Sequence, residues 1–65
     1  MPVIQASILA GRSQEQKDAF IEGVTKVAME ALNVEAHQVR VLISEYPHEN
    51  WGIAGISKAR RDEQA

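Results

Sequence analysis

Cysteine is absent from this 65-residue chain, which removes disulfides and thiolate metal sites as ways of holding a small fold together. Aromatic residues are nearly absent too, with one Phe, one Tyr and one Trp. The two histidines, His37 and His48, have no partner at a zinc-type spacing. No apolar run approaches the length of a membrane span. The start Met1-Pro2-Val3-Ile4-Gln5 lacks the basic flank and long apolar core of a signal peptide. The net charge of -2 opposes a nucleic-acid footprint. There is no internal repeat and no low-complexity segment. These absences leave one small globular domain, expected to be soluble and cytoplasmic, with neither membrane nor nucleic acid as partner. A domain of this size buries only about 60% of its unfolded surface. With staples and metals excluded, self-association is the expected source of stability.

What is present reads as strand, helix, strand and arm across a single domain, 1–65. Residues 2–9 carry apolar side chains on both alternating sets, Val3 and Leu9 on one and Ile4, Ala6 and Ile8 on the other. Such a strand is buried on both faces. Ala10-Gly11-Arg12 is the turn that leaves it. Ser13 and Gln16 form a capping box that opens a helix over 14–32. Phe20, Ile21, Val24, Val27, Ala28, Ala31 and Leu32 make one apolar stripe at helical spacing. Glu15, Lys17, Asp18, Glu22, Lys26 and Glu30 make the wet side, and Glu22 with Lys26 is an i,i+4 pair. Asn33 suits the helix exit because it tolerates the left-handed conformation. After a polar connector, residues 39–46 form the second strand, which Pro47 stops. Residues 50–57 read as a short β arm or hairpin, and 58–65 as a frayed polar tail. The fold class is therefore α/β (α+β): a βαβ unit with parallel strands and a right-handed crossover. Two strands apolar on both faces, with one helix to cover them, leave a face that has to meet another subunit.

Few residues stand out chemically. Pro2 on its own reads as a strand opener, where a missing N–H is harmless. With Met1 removed it becomes a secondary amine with a lone pair, whereas with Met1 in place its nitrogen is a tertiary amide without basicity. Arg40 lies in the most apolar run, between Val39 and Val41. A guanidinium there requires a strand end, an ion pair or a pocket, and its planar fork matches a carboxylate. Arg12 stands at the helix entry, where a cation opposes the helix dipole. Trp51, in a Gly-flanked arm, reads as an interface anchor or as the aromatic wall of a pocket. His37 and His48 read as solvated, as do Lys58, Arg60, Arg61, Asp62 and Glu63.

Taken together, these pieces resemble the 4-oxalocrotonate tautomerase (2-hydroxymuconate tautomerase) family of the tautomerase superfamily over nearly the whole length. The likeness is carried by Pro2, Leu9-Ala10-Gly11-Arg12-Ser13, Glu15-Gln16-Lys17, Val39-Arg40-Val41, Glu45 and the run from Trp51 to Gly55. It departs at Ala10, where an acid is common, at Trp51, where the best-known members have Phe, and at Tyr46-Pro47. The resemblance implies a βαβ protomer in a homohexamer, a trimer of dimers, with sites built from more than one subunit. It also implies an isomerase of aromatic-compound catabolism that transposes C=C bonds in a dienol or 2-oxo dicarboxylic acid such as 2-hydroxymuconate. Pro2 would be the general base, Arg40 and Arg12 would hold the carboxylate ends, and Trp51, Leu9 and Ile53 would line the apolar side. No metal or organic cofactor is needed. Two other readings stay open. One is hydration or dehalogenation of haloacrylate-type acids, for which no extra acid is well placed. The other is an inactive oligomeric interaction module.

Overall fold

The computed structural model describes residues 1–64, so position 65 of the expected polar tail lies outside the described residues. Strand β1 spans Val3–Leu9, helix α1 Gln14–Leu32 and strand β2 Arg40–Tyr46. A 3-10 turn at Ala36–Gln38 precedes β2 and another at His48–Asn50 follows it. The short strands β3 (Gly52–Ile53) and β4 (Ile56–Ser57) lead into helix α2 (Lys58–Gln64). β1 and β2 pair in parallel from Val3↔Arg40 to Leu9↔Tyr46, and β3 and β4 form an antiparallel hairpin. The βαβ unit with parallel strands and a C-terminal hairpin is thus the observed fold.

Local chemistry explains where α1 begins and ends. Ser13 Oγ accepts from the Gln16 N–H at 3.1 Å, and Gln16 Oε1 accepts from the Ser13 N–H at 3.0 Å. The box satisfies two of the orphan donors of the first turn. Gly11, at φ +126°, makes the exit from β1 in a region that other residues avoid. Asn33 caps the far end in the left-handed conformation, with its N–H donating to the Met29 carbonyl. The expected Glu22–Lys26 pair is not among the ion pairs of the described residues. Long exposed side chains gain little from a screened contact and lose rotamer freedom in making it. Nearer the helix start, Gln14 Nε2 donates to Asp18 Oδ1 at 2.9 Å.

The two faces of the β1–β2 sheet are not equivalent. Ile4, Ala6, Ile8, Val41 and Ile43 are half-buried beneath α1, whereas Val3, Gln5, Ser7, Leu42, Ser44 and Tyr46 on the other face are exposed. Among the described residues, only Ala28 and Val39 are buried. The apolar stripe expected on α1 is wider than two strands can cover. Ile21, Val24 and Ala28 turn toward the sheet, while Phe20, Val27, Ala31 and Leu32 remain in solvent. Lys17, expected on the wet side, is drawn inward by Glu45, with Nζ–Oε1 at 2.9 Å. The radius of gyration is 15.3 Å, against about 11 Å for a compact chain of this length. The accessible surface is 5006 Å², against about 4,100 Å² for a compact monomer of this mass. Among the described residues, no helix is long and apolar enough to cross a membrane.

The C-terminal end corrects the expectation of a frayed tail, since Lys58–Gln64 is helical. Ser57 Oγ accepts the Arg60 N–H at 3.2 Å, a cap of the same kind as Ser13 on α1. The helix is also tied to the preceding turn, because His48 Nδ1 lies 2.9 Å from Asp62 Oδ2. His48, Lys58, Arg61 and Asp62 are therefore paired where solvation was expected, while Arg60 and Glu63 are exposed as expected.

The hairpin turn places both Ala54 (φ 53°) and Gly55 (φ 83°) at positive φ, the pattern of a two-residue primed turn. Glycine suits this geometry, and alanine is strained in it. Ala54→Gly is therefore expected to stabilise the protein by about 1 kcal/mol. The check is the urea midpoint at fixed protein concentration, and an unchanged or lowered midpoint would contradict the strain.

Candidate active site

The six residues singled out in the sequence fall into two groups at opposite ends of β1. Pro2 and Arg40 share one end, where the Arg40 N–H donates to the Pro2 carbonyl at 3.0 Å. Pro2 is half-buried and bonded through its nitrogen to an exposed Met1. Arg40 opens β2, so its guanidinium is exposed at a strand end despite its apolar neighbours. Nη1 donates to the His37 carbonyl at 2.6 Å. That bond holds the guanidinium by one arm and leaves its other donors free for a ligand.

Leu9, Arg12, Trp51 and Ile53 belong to the other end. Leu9 pairs with Tyr46 in the register, and the Ala10 N–H continues the ladder to the Tyr46 carbonyl at 2.8 Å. The seven residues of β1 separate the two ends by roughly 20 Å. Arg12 lines a small recess of about 110 Å³ with Ile8, Gln16, Lys17, Phe20 and Ile43, on the helix side of the sheet. Trp51 lines a larger, open recess of about 330 Å³ with Ser7, Tyr46, Asn50 and Gly52. Ser7 and Tyr46 belong to the uncovered face, so Arg12 and Trp51 stand on different sides of the sheet. One copy of the chain therefore does not gather the six residues around a common point.

Several neighbours were not evident in the sequence. Tyr46 meets Trp51 in a tilted aromatic contact, with ring centroids 6.3 Å apart and planes at 59°. Glu45 holds Lys17 next to Arg12, which neutralises one of two adjacent cations. The Ser57 hydroxyl three residues before Arg60 was the available signal for α2. No local pattern announces a contact between His48 and Asp62, which lie fourteen residues apart.

The geometry has counterparts among known proteins. Residues 2–61 match the family model described as "Tautomerase enzyme". The 2-hydroxymuconate tautomerase of Comamonas testosteroni is 53% identical over 57 residues, 88% of this chain and 90% of that protein. A 2-hydroxymuconate tautomerase of Pseudomonas putida is 47% identical over the same shares of both chains. Among solved structures, a 4-oxalocrotonate tautomerase isozyme from Methylibium petroleiphilum superposes with a TM-score of 0.95 at 38% identity, over 98% of this chain and 100% of that one. A heterohexamer 4-oxalocrotonate tautomerase from Chloroflexus aurantiacus J-10-fl superposes with a TM-score of 0.86 at 36% identity, over 91% and 95%. The chain belongs to the 4-oxalocrotonate tautomerase family of the tautomerase superfamily, and it is an isomerase with tautomerase function.

One titration follows from the arm. Hydrogen bonds from Lys58 and then from His48 hold the Asp62 carboxyl below the usual carboxylate range. A group with a lowered folded pKa contributes stability that is present above its unfolded value and lost as pH falls through the folded one. Helix α2 is therefore expected to loosen on acidification below the ordinary carboxylate range. NMR amide shifts of 58–64 would report it, and Asp62→Asn would remove the Asp62-linked step. A pH response unaltered by that substitution would exclude Asp62 as its source.

Proposed function

We propose that this chain is a tautomerase of 2-hydroxymuconate-type dienol diacids that uses Pro2 as general base once Met1 is removed. The observation that carries the proposal is the main-chain bond from Arg40 to Pro2. It fixes a guanidinium-bearing residue beside the only position where the chain could offer a prolyl amine. The relatives named 2-hydroxymuconate tautomerase support the same substrate class.

A free α-amine titrates near a pKa of about 8. A nearby guanidinium and partial desolvation both disfavour the protonated form, so the prolyl amine gains neutral population near pH 7. The neutral nitrogen takes the hydroxyl proton of the 2-hydroxy dienol. As the C–O bond becomes a carbonyl and the double bonds shift, the same nitrogen returns the proton to carbon. No atom is gained or lost, and neither a metal nor an organic cofactor takes part. Arg40 holds the 2-hydroxy (2-oxo) acid end and stabilises charge developing on oxygen. Arg12 holds the distant carboxylate and orients the chain. Trp51, Leu9 and Ile53 keep water from the apolar side.

Because β1 separates Pro2 from Arg12 by roughly 20 Å, the complete site requires Arg12 and Trp51 from a neighbouring copy. We place the protomers in a homohexamer, a trimer of dimers. Support comes from the uncovered sheet face, the excess surface and the hexameric relative. Assembly also answers the deficit of core in so short a chain.

Three measurements test this reading. Chain that retains Met1, confirmed by mass spectrometry, is expected to lose nearly all activity on 2-hydroxymuconate, and full activity there excludes Pro2 as base. Arg40→Ala is expected to lower kcat by about 100-fold, while Arg12→Ala mainly raises KM; indifference to both removes the carboxylate clamp. Mixing Met1-retaining subunits with Arg12→Ala subunits, then refolding, should restore low-KM activity that neither shows alone, since the first lack the base and the second bind substrate weakly. No recovery in mixed assemblies of confirmed composition would contradict a site shared between copies.

A further inference from the structure

Helix α2 hydrogen-bonds the arm at and after its aromatic residue, and the turn before it. The Lys58 N–H donates to the Trp51 carbonyl at 2.7 Å. Arg61 Nη2 donates to the Ile53 carbonyl at 3.1 Å. His48, in the turn that leads into Trp51, lies 2.9 Å from Asp62 Oδ2, and Lys58 Nζ bonds the other oxygen of the same carboxylate. Asp62 is thus a node between the turn and the first residue of α2. Among the described residues, the side-chain hydrogen bonds of α2 end within the helix or in the arm and its leading turn.

Neither partner has the means to hold its shape alone. β3 and β4 have two residues each, and an isolated hairpin is marginal even when longer. α2 has seven residues, below the length at which a helix persists in water. The hairpin turn also carries the strained Ala54. What orders Trp51 is therefore external to the arm. The Tyr46 ring meets the indole, and α2 holds the main chain through the carbonyls of residues 51 and 53.

We infer that α2 is a clamp on the aromatic arm, with Arg61 and Asp62 as positioning residues that set where Trp51 and Ile53 stand. The inference rests on the reading of Trp51 and Ile53 as the apolar lining of the site. Arg61 acts through the Ile53 carbonyl and Asp62 through His48 and Lys58. Loss of either loosens the wall while leaving the base and the carboxylate clamp in place. The effect belongs to substrate affinity, since a loosened wall weakens ground-state and transition-state contacts alike.

Trp51 is the only tryptophan of the chain, so its fluorescence reports the arm directly. The test uses Arg61→Met, which keeps the aliphatic stem and loses the donor, and Asp62→Asn. Both are made in the full, Met1-processed chain, with assembly verified by sedimentation. Expected are a red-shifted, more quenchable Trp51 emission and a KM for 2-hydroxymuconate raised about three- to tenfold, the scale of one lost hydrogen bond. kcat should stay within about twofold, and Arg61→Lys and Asp62→Glu should restore most of both readouts. A fall in kcat at unchanged KM, or loss of assembly that the conservative variants do not rescue, overturns the positioning role. Trp51→Ala separates the clamp from the site reading. A normal KM in Trp51→Ala sinks the wall and, with it, the kinetic half of the clamp. A raised KM there, with emission and KM unmoved in Arg61→Met and Asp62→Asn, overturns the clamp alone.

Discussion

Two parallel strands with apolar side chains on both faces, and a single helix to cover them, set the terms for everything else in this molecule. α1 covers Ile4, Ala6, Ile8, Val41 and Ile43, and it can do no more. Val3 and Leu42 on the far face stay in water. Phe20, Val27 and Leu32 stay in water on the flanks of α1. Exposed apolar area on this scale marks an interaction surface. The same shortage that leaves the chain poor in core leaves it well supplied with surface for copies of itself.

The proposed site is a consequence of that arrangement. The sheet is one strand long, so whatever lies at its two ends is separated by the length of β1. The Pro2 end and the Arg12–Trp51 end stay apart because the strand between them is extended and paired along its whole length. Each element still has a definite task within its own end. The ladder bond holds Arg40 at Pro2, the Lys17–Glu45 pair sets the charge around Arg12, and α2 with Tyr46 holds Trp51. In the proposed site, assembly supplies the proximity that the fold withholds.

Much of this was readable from local patterns. Ser13 with Gln16 and Asn33 bracket α1 because their effects act within one turn of backbone. Gly11 and Pro47 mark turns for the same reason. The parallel sheet follows from the strand–helix–strand order, and the uncovered face from counting apolar faces against covering elements. The remainder lay in contacts between distant residues. Lys17 looked solvated because Glu45, twenty-eight positions away, is its partner. The charged end looked frayed because its helix depends on His48 and on the Trp51 and Ile53 carbonyls. The stripe on α1 was correctly apolar, yet its fate depended on how many strands lay beneath it. In the site, Arg40 and Arg12 were conspicuous as charges out of place, whereas their separation required the register.

The separation of the two ends also has a consequence for descent. If the site is shared between copies as proposed, a gene encoding this chain specifies both halves of every site, although no single copy of its product completes one. After duplication, mutations in one copy could erode the amine end while the other loses the carboxylate end, and the pair would still serve as long as the copies assemble together. Selection would then act on the partnership, and either gene alone would look dispensable in its chemistry while being indispensable in company.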